Sequence, residues 1–402
     1  MINLSSSNVH SLSKHSNFSN IICSGCNTVH QYDEIQNVCK DPSCQEALLA
    51  CYDFVLGLSK DVLKNRPFTM WRYREFLPVL DPKNIVSLGE GGTPLFKAKN
   101  LSKIVGIPEL YWKDEAGNPT GSFKARGMSA AVSKAKELGI KKMAIPTAGN
   151  AGVALAAYGV RAGMEVHVFM PKETPAQHKK EVEFYGAHLT EVDGNIGDCG
   201  KLVAELSPKN GWFNVSTLKE PYRLEGKKTM GYELAEQLNW ELPDVILYPT
   251  GGGTGLIGFW KAFEELEQIG WIGSKRPRLI AVQSANCDSI VSAFHNSEPK
   301  AVAVDKGFTI ANGLRVPKSY ADKLILKILK YTKGTAISIN DEEISQALSE
   351  VARLEGMFIA PEGAALWAAV KRLKLEGIVQ ESEKVVLVNT GSGYKYTENI
   401  FK

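Results

Sequence analysis

The chain has 402 residues, 44% of them hydrophobic and 23% charged, with a formal net charge of +3 at pH 7. That length supplies core for two or three domains, and so balanced a charge gives no electrostatic reason to expect a nucleic acid or a membrane surface as partner. No apolar run approaches the roughly 20 residues that span a bilayer, and the polar start lacks the apolar core of a secretory signal, so a cytoplasmic setting is expected.

Met1 to about Asn20 is Ser/Asn-rich and reads as a disordered tail. Residues 21–52 carry Cys23-x2-Cys26 and Cys39-x4-Cys44, paired knuckles of the kind a tetrahedral zinc ribbon uses. Asn27 stands where such knuckles usually have glycine, and the second knuckle is wide. A zinc-bound ribbon and a metal-free one with reduced thiols both remain open, so no metal ligand is assigned. Lys40 is the only basic residue of this segment, too little charge for a phosphate-reading surface, and a ribbon acting alone on an inert body is set aside. A linking region with Trp71, Tyr73 and Phe76 leads to the glycine turn Gly89–Leu95.

From there short apolar runs alternate with Ala/Leu-rich helical patterns. The runs are Leu110-Tyr-Trp-Lys, Met143-Ala-Ile-Pro, Glu165–Met170, Ala187–Val192, Asp244–Tyr248, Arg278–Val282 and Lys384–Val388. Helices are expected over 122–138, 150–162 and 175–186. Unbroken apolar strands between helices imply α/β architecture, with doubly wound parallel sheets covered on both faces. In such sheets ligands sit at the carboxyl ends of the strands, and four glycine-rich loops fall there.

The first is Asn118-Pro-Thr-Gly-Ser-Phe-Lys-Ala-Arg-Gly. Pro119 and Gly121 force a turn, Ser122 is expected to cap the next helix, and Lys124 falls in its first turn. The positive end of a helix dipole disfavours a cation there and pushes the amine toward its nucleophilic neutral form. The second, Thr147-Ala-Gly-Asn-Ala-Gly, turns the amide of Asn150 toward the strand end. The third, Pro249-Thr-Gly-Gly-Gly-Thr-Gly, allows the amides of Gly251, Gly252, Gly253, Thr254 and Gly255 to close round an anion at a helix start, with Thr250 or Thr254 adding a hydroxyl. It lacks the Gly-Lys-Ser/Thr of a nucleoside-triphosphate loop. The fourth, Asn389-Thr-Gly-Ser-Gly, offers the hydroxyls of Thr390 and Ser392. An amine, a phosphate cup, an amide and a hydroxyl are together the parts needed to hold pyridoxal 5'-phosphate.

Through these loops the sequence resembles the threonine synthases, in the fold-type-II, tryptophan synthase beta-like group of pyridoxal phosphate enzymes. The resemblance runs over nearly the whole chain. It covers Gly-Gly-Thr-Pro-Leu at 91–95, Asn-Pro-Thr-Gly-Ser-Phe-Lys at 118–124, Asp193-Gly-Asn-x-x-Asp-Cys, Arg223-Leu-Glu-Gly-Lys-Lys-Thr, Ala-Asn-Gly-Leu-Arg at 311–315 and Pro-Glu-Gly-Ala-Ala at 361–365. The ribbon closes with Leu48, Tyr52 and Asp53 in the manner of the family.

The resemblance implies that Lys124 carries the cofactor as a Schiff base and serves as the catalytic residue. It places Asn150 on the cofactor's 3'-oxygen, Gly251–Gly255 on its phosphate and Thr390 on N1. It further implies a large cofactor domain (53–127 and 226–402), a small α/β domain (128–225), a homodimer, and a lyase forming L-threonine and phosphate from O-phospho-L-homoserine and water. Two positions depart from the family pattern: Ala125 where an aspartate is usual, and Glu220 where an asparagine near the substrate phosphate is usual. They keep open β-elimination or β-replacement on serine, threonine or O-phosphoserine. Arg126, Arg223, Lys228 and Arg315 are the candidate cations for a substrate phosphate.

Overall fold

The computed structural model describes residues 15–54, 57–304 and 306–401 and begins with a small antiparallel sheet of β1 (Phe18–Cys23), β2 (Val29–His30) and β3 (Leu48–Tyr52), in the order β2-β1-β3. Phe18, Ser19 and Asn20, expected in a disordered tail, belong to β1: the Phe18 ring is buried between Tyr32 and Tyr52, and this aromatic contact outweighs its polar neighbours in sequence. Residues 1–14 of that expected tail lie outside the described residues. The stretch read as a linking region is core. Tyr73 and Phe76 are fully buried against Tyr232, and Trp71 donates to Glu90 and Ser129.

The main body opens with β4 (Leu95–Lys97), α1 (Leu101–Val105), β5 (Leu110–Asp114) and α2 (Lys124–Glu137). A four-stranded parallel unit follows: β6 (Lys142–Pro146), α3 (Asn150–Arg161), β7 (Glu165–Pro171), α4 (Ala176–Phe184), β8 (His188–Val192), α5 (Ile196–Asn210) and β9 (Phe213–Asn214), with sheet order β8-β7-β6-β9. The chain then returns through α6 (Tyr222–Gln237), β10 (Val245–Pro249), α7 (Thr254–Gln268), β11 (Arg278–Ser284), α8 (Ser289–His295), α9 (Asp322–Tyr331), β12 (Thr335–Ile339), α10 (Asp341–Glu355), α11 (Pro361–Leu375), β13 (Val385–Asn389) and α12 (Thr397–Ile400). The larger sheet runs β12-β11-β10-β13-β5-β4, parallel apart from the edge strand β4. No residue of β10 or β13 is exposed, as unbroken apolar strands covered on both faces require. β12, which the apolar pattern does not mark, is a short edge-side strand whose Thr335 and Ser338 interrupt the run.

Helices α2 and α6 bring the two sheets' elements together and set where Lys124 lies. They cross so closely that a Cβ on Gly226 would stand 2.0 Å from the Arg126 carbonyl oxygen. Behind the crossing lies a fully buried ionic cluster. Arg126 donates to Glu115 (Nε, 2.6 Å) and Glu233 (Nη1, 3.0 Å), and Lys113 also pairs with Glu233. Glu233 in addition accepts from the amides of Gly92 (2.9 Å) and Thr93 (2.7 Å). Burial opposes ionisation of Glu233, but Arg126 and Lys113 outweigh it and hold the carboxyl well below the usual range. Removing the shared acid leaves the buried Lys113 with no carboxylate and Arg126 with Glu115 alone, so Glu233→Ala should cost ~3–5 kcal/mol, read as a lowered denaturation midpoint. A loss under about 1 kcal/mol would mean the cluster is replaceable by water.

Candidate active site

Lys124 is the first residue of α2, held there by the loop before it. Gly121 takes φ 68°, and the loop is sewn to the turn after β13 by two backbone bonds, Phe123 N to Thr390 O (3.0 Å) and Ser392 N to Gly121 O (2.9 Å). The expected Ser122 cap does not form. Phe123 occupies the capping position, and the Ser122 hydroxyl is buried without a partner because its backbone is engaged with Gly391.

The Lys124 side chain borders a cavity of about 920 Å³ and lies 4.0 Å from the centre of the Phe123 ring. No carboxylate lies within ion-pair distance of it among the described residues. Burial, and then the charge of Arg223, push its amine from 10.5 down to about 7, against a smaller opposing pull from Glu362.

The other loops line the same cavity. Gly251, Gly252 and Gly253 form one wall. A Cβ on Gly251 would lie 2.3 Å from Gly313 O, and Gly253 takes φ 76° just before α7. Thr254 lies on this wall, whereas Thr250 spends its hydroxyl on Tyr248 O (2.9 Å). Gly255 is not on the wall: a Cβ there would collide with the Tyr248 hydroxyl, so it serves packing beneath the loop. Thr390 reaches the cavity, and Ser392 instead caps its own turn.

Asn150 lies at the head of α3, after Gly149 at φ 140°, and its amide joins a chain of hydrogen bonds. His178 Nε2 donates to Asn150 Oδ1 (3.0 Å), Asn150 Nδ2 donates to Tyr396 (2.9 Å), and the Tyr396 hydroxyl donates to Glu362 Oε1 (3.0 Å). Burial pushes the His178 imidazole down to about 3, so it is neutral, and the amide oxygen fixes its proton on Nε2. Burial raises the Glu362 carboxyl, and its second oxygen has no partner.

Of the four candidate cations, Arg126 and Lys228 are consumed by buried acids, Arg126 by Glu115 and Glu233, Lys228 by Glu225 and Glu265. Arg315 pairs with Glu173 (2.6 Å). Arg223 gives one nitrogen to Val215 O (2.5 Å) and leaves Nε unpartnered. Glu220, which stands where the family has an asparagine near the substrate phosphate, accepts from the first two amides of α6, Tyr222 N (2.7 Å) and Arg223 N (3.0 Å), and is not on the cavity wall. Its carboxylate is used as a helix cap.

Lys227 goes unremarked in the sequence reading. Its buried Nζ donates to Thr254 Oγ1 (2.7 Å) from behind the glycine wall, and burial, then Arg223 and Lys124, push its amine far down. The signal was available in Lys227-Lys228: on a helix buried over nearly its whole length, neither lysine can be a solvated charge. Glu362, in the 361–365 motif, and Tyr396, in no motif, have no chemistry legible until the fold joins them to Asn150.

This is an α/β fold in which a lysine amine and a glycine-rich wall share one cavity at the strand ends, and it defines a class. A profile of the family described as "Pyridoxal-phosphate dependent enzyme" matches residues 86–391, and the chain belongs to that family. Within it, the chain is 36% identical to the threonine synthase of Methanocaldococcus jannaschii over 93% of its own length and 92% of that protein's. It is 34% identical to the threonine synthase of Methanosarcina acetivorans over 92% and 90% respectively. Among solved structures, maize serine racemase superposes with a TM-score of 0.66 at 22% identity, covering 77% of this chain and 94% of that one. Threonine deaminase isoform 2 of Solanum lycopersicum does so with 0.64 at 21%, covering 86% and 98%. These two fix the fold as that of the fold-type-II enzymes.

An amine is reactive only when neutral, so Lys124 should react above its depressed pKa and fall silent below it. Labelling of the cofactor-free chain with an amine-acylating reagent, followed by peptide mass spectrometry, should give half-maximal modification of Lys124 near pH 7, against ~10.4 for an ordinary lysine. A midpoint near the ordinary value would contradict the burial argument.

Proposed function

We propose that this chain is a threonine synthase, forming L-threonine and phosphate from O-phospho-L-homoserine and water, and that it works as a cytoplasmic homodimer with the 128–225 stretch as its smaller domain. The observation that carries the reading is the pairing, across one cavity, of the unpaired Lys124 amine with the Gly251–Thr254 wall. Similarity to threonine synthases over nine-tenths of the chain gives that pairing its substrate.

In this reading Lys124 holds the cofactor covalently, the Gly251–Thr254 amides with Lys227 behind them hold its phosphate, Thr390 meets its ring nitrogen and Asn150 its 3'-oxygen. The buried, unpartnered polar atoms and the glycines that leave no room for a Cβ fit such a group. Bound there, pyridoxal phosphate delocalises the electron pair left when a proton is lost next to the amino group. A hydroxyl rather than a carboxylate at the ring nitrogen keeps that sink moderate. The reaction removes protons from Cα and Cβ, breaks the Cγ–O bond to phosphate, returns protons to Cγ and Cα, and adds water's oxygen at Cβ. One base must therefore both take and give protons near neutrality. Lys124, at about 7, is matched to that task.

Lys219 and Lys300 stand on the cavity wall as cations for a departing dianion, with Arg223 behind. Glu220, tied to the start of α6, does not stand against this substrate. The second reading, elimination or replacement at Cβ of a serine or phosphoserine, retains Ala125 in its favour, which is buried in the apolar core.

The discriminating assay follows phosphate release and amino-acid product with O-phosphohomoserine and with O-phosphoserine. Threonine with equimolar phosphate from the first is expected; turnover of the second alone would replace this reading with the other. Lys227→Met should raise the pyridoxal phosphate concentration needed for half-loading ~10–100-fold, since a bond to a charged group is worth ~1.5–3 kcal/mol. Equilibrium titration by absorbance measures it, and an unchanged value would remove Lys227 from the phosphate cup.

A further inference from the structure

The four ribbon cysteines, from two separate knuckles of chain, converge on one point. Cys23 Sγ lies 3.5 Å from Cys44 Sγ, Cys26 Sγ lies 3.6 Å from Cys39 Sγ, and all four sulfurs fall within 4.8 Å of one another. Four thiolates at tetrahedral corners ~2.3 Å from a zinc ion stand ~3.8 Å apart, so the cage is already near the size the ion needs. The backbone has the same pattern in both knuckles. The residue after each second cysteine is left-handed, Asn27 at φ 61° and Gln45 at φ 49°, and its amide closes the turn onto Cys23 O and Asp41 O, each at 3.1 Å. Asparagine adopts that conformation readily, whereas glutamine does so uncommonly. Gly25 N also points at Cys23 Sγ (3.4 Å), as an amide does toward a thiolate.

The ribbon's position gives the cage a consequence. Cys44, Gln45 and Glu46 lie on the wall of the active-site cavity. Gln45 O accepts the Tyr320 hydroxyl, Glu46 pairs with Lys323 (2.6 Å), and both Tyr320 and Lys323 line the same cavity. On the other side Asn37, between the knuckles, donates to Asn214 O (2.7 Å) and Lys219 O (2.8 Å), fixing the loop that bears Thr217 and Lys219. Thus the ribbon touches the cavity from both sides, yet its own three short strands offer little core.

We propose that Cys23, Cys26, Cys39 and Cys44 bind one zinc ion, which holds the Cys44–Glu46 turn in place as part of the substrate-side wall. Binding breaks four S–H bonds, forms four Zn–S bonds and releases the protons to solvent, with no change of oxidation state.

The test uses the full-length holoenzyme purified under reducing conditions. Elemental analysis should find one zinc per chain, released in step with titration of these four thiols, and cobalt substitution should give the absorbance of a tetrahedral thiolate site. The double variant Cys39→Ser/Cys44→Ser should carry no zinc. Because that variant could fail to fold, the wild-type enzyme is also stripped with a chelator. Stripping should raise KM for the amino-acid substrate several-fold while the cofactor absorbance stays. Zinc absent or retained by the double variant, iron in its place, or a mass short by four hydrogens from two disulfides, each overturns the site. Stoichiometric zinc with an unchanged KM after stripping overturns its role in the wall.

Discussion

An amine enclosed by protein with no carboxylate in ion-pair reach holds its proton less tightly, and two such amines, Lys124 and Lys227, stand at the candidate site. Elsewhere the buried cations are matched to acids: Arg126 and Lys113 to Glu115 and Glu233, Lys228 and Lys261 to Glu225 and Glu265. Lys124 and Lys227 break that pattern, and both feel the unbalanced charge of Arg223. Such an arrangement is costly to the fold on its own. The close crossing of α2 and α6 holds the two amines near each other, one bordering the cavity and one behind its glycine wall. The buried cluster on the far side of that crossing ties α2 to α6 through Arg126 and Glu233.

Much of this was legible from residue order. Continuous apolar runs marked the central strands because burial on both faces admits no alternation, and the glycine loops marked strand ends because only backbone-built cups need so many residues without a Cβ. What escaped was whatever depends on a side chain's direction. Ser122 has the chemistry of a cap, but its backbone is taken by the Thr390 loop, so the hydroxyl is left idle. Glu220 has the charge to repel a phosphate, yet it turns into the start of α6. Gly255 continues a glycine run without joining the cup, because the helix has already begun to carry it away. The relay from His178 through Asn150 and Tyr396 to Glu362 joins four distant positions that no spacing could connect.

The ribbon shows the same dependence on placement. Its cysteine spacing fits a metal or a reduced remnant equally, and only the convergence of the sulfurs, together with the contacts to Tyr320, Lys323 and Lys219, ties it to the cavity. A segment that could be an independent module is instead built into the wall of the site, between elements of both larger sheets.

We propose Lys124, which borders the cavity, and not its more deeply buried neighbour Lys227, as the residue on which the cofactor is held. Borohydride reduction of the loaded enzyme followed by peptide mass spectrometry decides between them. The cofactor's mass is expected on the peptide containing Lys124 and on no other. Recovery of that mass on Lys227, or on neither lysine, would contradict it.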